Sequence, residues 1–153
     1  MKWGKRYGFD FVNRLYKSII KHTKNKTRLV CFTDDKTGIN KNVICKPLPQ
    51  IKIPEEISDA DCLVLPSRYD GWGAVISEAL MVGTPVICSD NCGAANVVTA
   101  SNVGSVFSTN DFDSLVRSLK SQLKKGKCGG KVRKKISDWS KCLDSESGAE
   151  YLK

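Results

Sequence analysis

The sequence predicts an α/β fold, layered in three around a short parallel sheet. An apolar strand at 62–65 halts at Pro66, crosses a Gly-rich turn and opens into a helical pattern at 74–82. Directly after Gly83 a second apolar strand, 85–89, begins. A third strand near 104–107 and two further helical patterns then carry the alternation onward.

Taken in order, Asp10 is the predicted N-cap of a helix over 10–21. Phe11, Val12, Leu15, Tyr16, Ile19 and Ile20 form its apolar stripe. A short buried strand at 28–32 leads into a turn at 33–38, and 42–45 reads as another strand. Pro47, Pro49 and Pro54 mark a linker. Two strands alone leave unpaired edges, so 28–32 is expected to join the sheet of 62–65 and 85–89, with the first helix covering one face. The alternative is two half-domains joined at 47–54. Toward the C-terminus, a helix at 111–124 turns Phe112, Leu115, Val116, Leu119 and Leu123 inward and stops at Gly126. The last helix, 130–143, is expected to bury a stripe of Val132, Ile136, Trp139 and Leu143.

The turn between 65 and 74 carries the chemistry. Two acids, Asp70 and Glu78, bracket it with seven residues between them. Glycines let backbone N–H groups approach a phosphate, a helix N-terminus favours negative charge, and carboxylates accept hydrogen bonds from ribose or sugar hydroxyls. Val75, Ile76, Ala79, Leu80 and Val82 give the helix a wide apolar surface, with Glu78 on its border. A half-buried carboxylate is costly unless something pairs with it. Trp72 is expected to pack across the loop, with a contact to base or sugar as the alternative.

Asp70-x7-Glu78, followed by Gly83-Thr84-Pro85-Val86-Ile87, resembles the donor-site motif of GT-B glycosyltransferases in the large retaining family 4. That motif is commonly Glu-x7-Glu, then Ala, then a Gly-x-Pro-Val-Ile strand. The resemblance runs from about residue 58 to the C-terminus, including Trp139 and the ending Gly148-Ala149-x-Tyr151-Leu152. It implies a partial Rossmann-like domain of the GT-B C-terminal type, with a nucleotide-sugar donor as substrate and neither a cofactor nor a metal. It further implies Glu78 on the nucleotide ribose, Asp70 near the transferred sugar, and backbone amides of Gly71, Trp72 and Gly73 on the diphosphate. Asp70 and Glu78 are thus the expected catalytic pair. Two departures stand out: Asp replaces the commoner Glu at 70, and Cys92-Gly93-Ala94-Ala95-Asn96 occupies a loop where the family often has Gly-Gly-x-Pro-Glu.

Residues 3–48 resemble the opening of a family of bacterial glycosyltransferases with a GT-A-like nucleotide-sugar fold. Trp3-Gly4-x-x-Tyr7-Gly8, Val12-Asn13-Arg14-Leu15-Tyr16 and Val30-Cys31-Phe32-Thr33-Asp34-Asp35 carry that resemblance. The domains expected are therefore 1–53, basic and of this second type, and 54–153, a partial donor-binding domain. Asp34 and Asp35 read as a solvated turn, not a metal-binding Asp-x-Asp.

Composition excludes several classes. No apolar run is long enough to span a membrane, and no signal-peptide pattern opens the chain. Seven cysteines without a Cys-x2-Cys pair, and His22 as the only histidine, argue against a disulfide framework, a zinc site or a His-based triad. Residues 1–53 hold 13 Lys/Arg and 3 Asp/Glu; residues 54–110 hold 1 and 7; residues 111–153 hold 11 and 6. The donor segment is thus acidic, with Arg68 its only cation, although an anionic diphosphate needs positive compensation.

Three functions compete. The first is a cytoplasmic bacterial glycosyltransferase, or its donor-binding portion, transferring a hexose to a sugar or lipid-linked glycan in envelope polysaccharide or lipopolysaccharide assembly. The second is a non-catalytic remnant or accessory subunit that requires a partner chain. The third is a basic module using Lys124-Lys125-Gly126-Lys127 and Lys131-x-Arg133-Lys134-Lys135 on phosphates. These runs lack interleaved aromatics, which disfavours nucleic acid; an anionic membrane surface on the inner face fits them better.

Overall fold

A computed structural model describes residues 8–24, 26–47 and 53–143. The words Trp3 to Tyr7, Pro49 and the ending at 148–152 lie outside the described residues. The chain divides into two compact units between Lys52 and Ile53.

In the first unit, α1 (Phe9–His22) starts at Gly8 as N-cap, with no side-chain cap bond. Asp10, the expected cap, lies in the first turn instead, where its charge still suits the positive end of the helix. Val12, Leu15 and Ile19 are buried, whereas Ile20 is 48% exposed because the buried face is narrower than the apolar stripe. His22 is half-buried, with Nδ1 2.8 Å from the Ser18 carbonyl. β1 (Val30–Phe32) and β2 (Ile44–Lys46) pair in parallel. Asn13 steers the connection between them: its Nδ2 donates to the Gly38 carbonyl at 2.9 Å and its Oδ1 accepts from Asn40 N at 2.7 Å. Val12, Cys31 and Val43 form a small core with Tyr16, Leu29, Ile39 and Cys45 around it. Strand 28–32 therefore does not join the sheet of the second unit; β2 is its hydrogen-bonded neighbour.

The second unit opens with α2 (Ile53–Ser58), a helix where the prolines predicted a linker. Pro54 falls in its first turn, a position with no hydrogen bond to lose. Then follow β3 (Leu63–Leu65), α3 (Ala74–Met81), β4 (Val86–Ser89), α4 (Ala95–Ser101), β5 (Ser105–Phe107), α5 (Phe112–Lys125), α6 (Gly130–Ser140) and a 3-10 turn at Lys141–Leu143. The three strands are parallel in the order β3-β4-β5, with Val64 opposite Ile87 and Cys88 opposite Val106. Parallel pairing follows from the helical crossovers α3 and α4. All four residues of β4 are buried, so both faces of the sheet are covered. This is a partial Rossmann-like α/β arrangement.

Helix ends obey local rules. Asp111 caps α5, its Oδ1 accepting from Ser114 N at 2.9 Å, and Gly126 at φ 72 ends it. After α3, Gly83 N donates to the Leu80 carbonyl at 3.0 Å and Thr84 N to the Ala79 carbonyl at 2.8 Å, a Schellman turn with Gly83 at φ 78. A Cβ on Gly83 would lie 2.5 Å from the Arg133 carbonyl oxygen, so this glycine also admits the backbone of α6.

α6 does not bury the stripe expected of it. Ile136 and Ser140 are buried, Val132 is 49% exposed and Trp139 is half-buried. The inward face is 133, 136, 137 and 140, because polar side chains on it find partners. Arg133 donates from Nη2 to the Ala60 carbonyl (2.8 Å), from Nη1 to Thr84 Oγ1 (3.1 Å) and from Nε to the Cys128 carbonyl (3.2 Å). Thr84 Oγ1 in turn donates to the Ile57 carbonyl at 2.8 Å, and Ser137 Oγ to the Met81 carbonyl at 2.9 Å.

Two outcomes follow. Arg133→Ala strips charged donors from three acceptors and should lower unfolding free energy by about 2–3 kcal/mol; urea denaturation beside Lys134→Ala, expected near neutral, checks this. Burial pushes the Cys88 thiol from 9.0 up to about 12, with Cys92 and Asp90 adding to it. A raised folded value means the contribution is full below pH 9.0 and drains away as pH rises toward 12, when the unfolded thiol ionises first. Stability measured across that window should fall less steeply in Cys88→Ala than in the parent chain.

Candidate functional site

The site lies beyond the C-terminal ends of β3 and β4, where open parallel sheets bind ligands. Two loops leave those ends, 66–73 and 90–94, and they are zipped together. Asp70 N donates to the Asn91 carbonyl at 3.2 Å, Gly93 N to the Asp70 carbonyl at 3.1 Å, and Ala94 N to the Trp72 carbonyl at 2.8 Å. Asn91 Nδ2 reaches the Arg68 carbonyl at 3.2 Å, and the Cys92 thiol reaches the Trp72 carbonyl at 3.5 Å. Asp70 and Cys92 thus form a parallel bridge outside the named strands.

The glycines divide by role. Gly73 is the N-cap of α3 at φ 78, and a Cβ there would sit 2.5 Å from Cys92 Sγ, so both conformation and space require glycine. Gly71 is exposed, with open space around its Cβ position. The glycine that closes the two loops is Gly93, whose added Cβ would collide with the Gly71 carbonyl oxygen. Sequence reading noted Gly93 only as part of a departing loop. Its signal lay in the pairing of two strand-end loops, which spacing along one of them does not show.

Each expected residue has a defined place. Asp70 is half-buried beside Cys92, whose thiol is pushed up first by burial and further by the Asp70 charge. Trp72 is 55% exposed and Tyr69 77%, so Trp72 is not packed across the loop. The helix Ala74–Met81 begins without a side-chain cap, and in its first turn Ile76 N donates to the Gly73 carbonyl at 2.8 Å, so the amides before Ile76 are the ones an anion would meet. Glu78 sits in the second turn of α3 between buried Val75, Ile76, Ala79 and Leu80. Its Oε2 is sealed from solvent and has no hydrogen-bond partner among the described residues. A buried carboxylate oxygen in that condition costs on the order of 1–3 kcal/mol or more, and such groups concentrate where a ligand supplies the partner. Asn96 is exposed on α4. Asp34 and Asp35 are exposed in a turn, where Asp35 Oδ1 accepts from Thr37 N at 2.9 Å.

Comparison with known proteins adds two findings. The family model described as glycosyl transferases group 1 matches residues 14–141, more than four-fifths of the chain. The match begins in α1, upstream of residue 58, and so takes in β1 and β2 as well as the second unit. A stretch of 68 residues is 35% identical to O-antigen chain mannosyltransferase B of Escherichia coli, covering 44% of this chain and 17% of that protein. The chain thus spans a minor part of the relative's length.

The zipped loops predict an asymmetry between two glycines. Gly93→Ala must force 70–73 away from 91–94 and should cost about 1–3 kcal/mol, whereas Gly71→Ala should change stability by less than about 0.5 kcal/mol. Equal costs in urea denaturation would show that the loops are not held in this contact.

Proposed function

Because the chain belongs to the glycosyl transferases group 1 family, we propose that it binds a nucleotide-sugar donor at the 70–78 turn for hexosyl transfer. The single observation that carries this reading is the buried, unpartnered Oε2 of Glu78, one turn inside an uncapped helix N-terminus. A ribose hydroxyl donates the hydrogen bond that oxygen lacks. The diphosphate then meets the backbone amides at Gly71, Trp72 and Gly73, and Asp70 faces the transferred sugar. In this reading the diphosphate charge is met by backbone dipoles and basic side chains, without a metal or other cofactor, and transfer retains the anomeric configuration.

The name of the Escherichia coli relative, an O-antigen chain mannosyltransferase, supports a hexose donor and a polysaccharide acceptor. Arg68 is the only cation in 54–110, which favours a second reading. In it the chain holds the donor, and the compensating positive charge comes from a partner chain that completes an active enzyme.

Calorimetry with nucleoside diphosphates and their hexose conjugates, in the presence of EDTA, tests the donor site. Glu78→Gln keeps the shape and loses the charge, so it should weaken binding by about 1–3 kcal/mol, the range for a charge-assisted hydrogen bond. Absence of binding by the parent chain to every nucleotide sinks the reading. Binding without turnover selects the partner-dependent form.

A further inference from the structure

We infer that the lysines running from the end of α5 into α6 form a docking surface for an anionic lipid bilayer. Residues 124–135 hold seven Lys/Arg and no acid. Arg133 is turned inward, where its guanidinium fastens α6 to the rest of the unit. The other six, Lys124, Lys125, Lys127, Lys131, Lys134 and Lys135, are exposed. Among the described residues none of the six forms an ion pair. The nearest acid along α6 is Asp138, a turn beyond Lys134, and Lys141 Nζ already bonds it at 3.0 Å.

Helix stability explains only part of this cluster. Lys124 and Lys125 lie in the last turn of α5, where cations suit the helix dipole. Lys131, Lys134 and Lys135 lie in the first half of α6, which has no acid in its first turn and no side-chain cap. Cations there oppose the dipole, so the helix is held against its own charge pattern by Arg133, Ile136, Ser137 and Ser140 on the inner face. An anion outside the molecule is what that arrangement suits.

The chemistry selects a bilayer over a nucleic acid. Val132, an apolar side chain 49% exposed, lies among the lysines, and a lipid interface accommodates it. Among the described residues of 124–143 no exposed aromatic ring accompanies them for base stacking; Trp139 is half-buried. Clusters of four to eight basic residues on a helix attract anionic leaflets, each lysine strengthening partition about fivefold. This inference is independent of the donor site.

Co-sedimentation of the 153-residue chain with vesicles tests it, using phosphatidylglycerol mixed into phosphatidylcholine beside phosphatidylcholine alone. Binding should require the anionic lipid and disappear with added salt. The triple change Lys131→Gln, Lys134→Gln, Lys135→Gln should weaken it about a hundredfold, with the helical circular dichroism unchanged. A control removing charge from α1, Lys17→Gln with Lys21→Gln, should leave it within about threefold. Three results overturn the proposal: no binding to anionic vesicles at low salt; equal loss in the α1 control, which makes net charge the cause; or tighter binding to single-stranded RNA than to vesicles in the same buffer, lost in the same triple variant.

Discussion

β4 carries four consecutive side chains out of solvent, and the second unit takes its positions from that strand. Val86 and Ile87 each add on the order of 1.5–3 kcal/mol when fully buried, but the geometric effect matters more. A strand buried on both faces needs a neighbour at each edge and a helix on each side. β3 and β5 supply the edges in fixed register, and the crossovers that make the pairing parallel are the helices that cover it. The polar end of the strand is handled locally: Ser89 Oγ donates to the Ser67 carbonyl, so the last residue of β4 already ties the two site loops together.

The site follows as a consequence of that core. Loops leaving adjacent parallel strands at the same end are brought side by side, and their backbones exchange the hydrogen bonds that strands no longer provide. Residues 68, 70 and 72 present main-chain groups to 91–94, which holds the start of α3 at a fixed angle to the sheet. Glu78 breaks the local rules in this region, a carboxylate oxygen sealed among aliphatic neighbours with nothing to accept from among the described residues. Conflict of that kind in an otherwise consistent structure is the reason for proposing a ligand there. The Asp34–Asp35 turn shows the contrast, since both acids are exposed and Asp35 Oδ1 accepts from Thr37 N.

Much of the fold was legible because its signals are local. Asp111, Gly126 and Gly83 punctuate helices through backbone geometry that acts within four residues, and each does so in the structure. The strands are continuous apolar runs at 63–65 and 86–88, as a doubly covered sheet demands. What stayed hidden depended on partners distant in sequence. The pairing of β1 with β2, parallel across an eleven-residue connection steered by Asn13, has no periodic signature. The inward face of α6 was misread because counting apolar residues passes over Arg133, whose partners lie as far back as Ala60. α4 was not foreseen either; Asn96-Val97-Val98-Thr99 favours strand by β-branching, and tertiary packing of Val98 overrides it. In the candidate site, Asp70, Gly73 and Glu78 were readable from one turn, whereas the contacts of Cys92 and Gly93 became visible only when the second loop met it.

The partners chosen by Arg133 carry a consequence for how this region changes over generations. Two of its three acceptors are main-chain carbonyls, at Ala60 and Cys128, and only Thr84 contributes a side chain. A carbonyl is present whatever residue occupies the position. Substitutions at 60 and 128 are therefore free to accumulate without loosening α6, provided the backbone path is kept. A change at 84 removes an acceptor from Arg133, a change at 133 removes the donor to all three, and Gly83, against which the Arg133 backbone rests, constrains the same pair from the other side. Sequence drift in this part of the molecule is thus channelled away from a three-residue knot and into the loops around it.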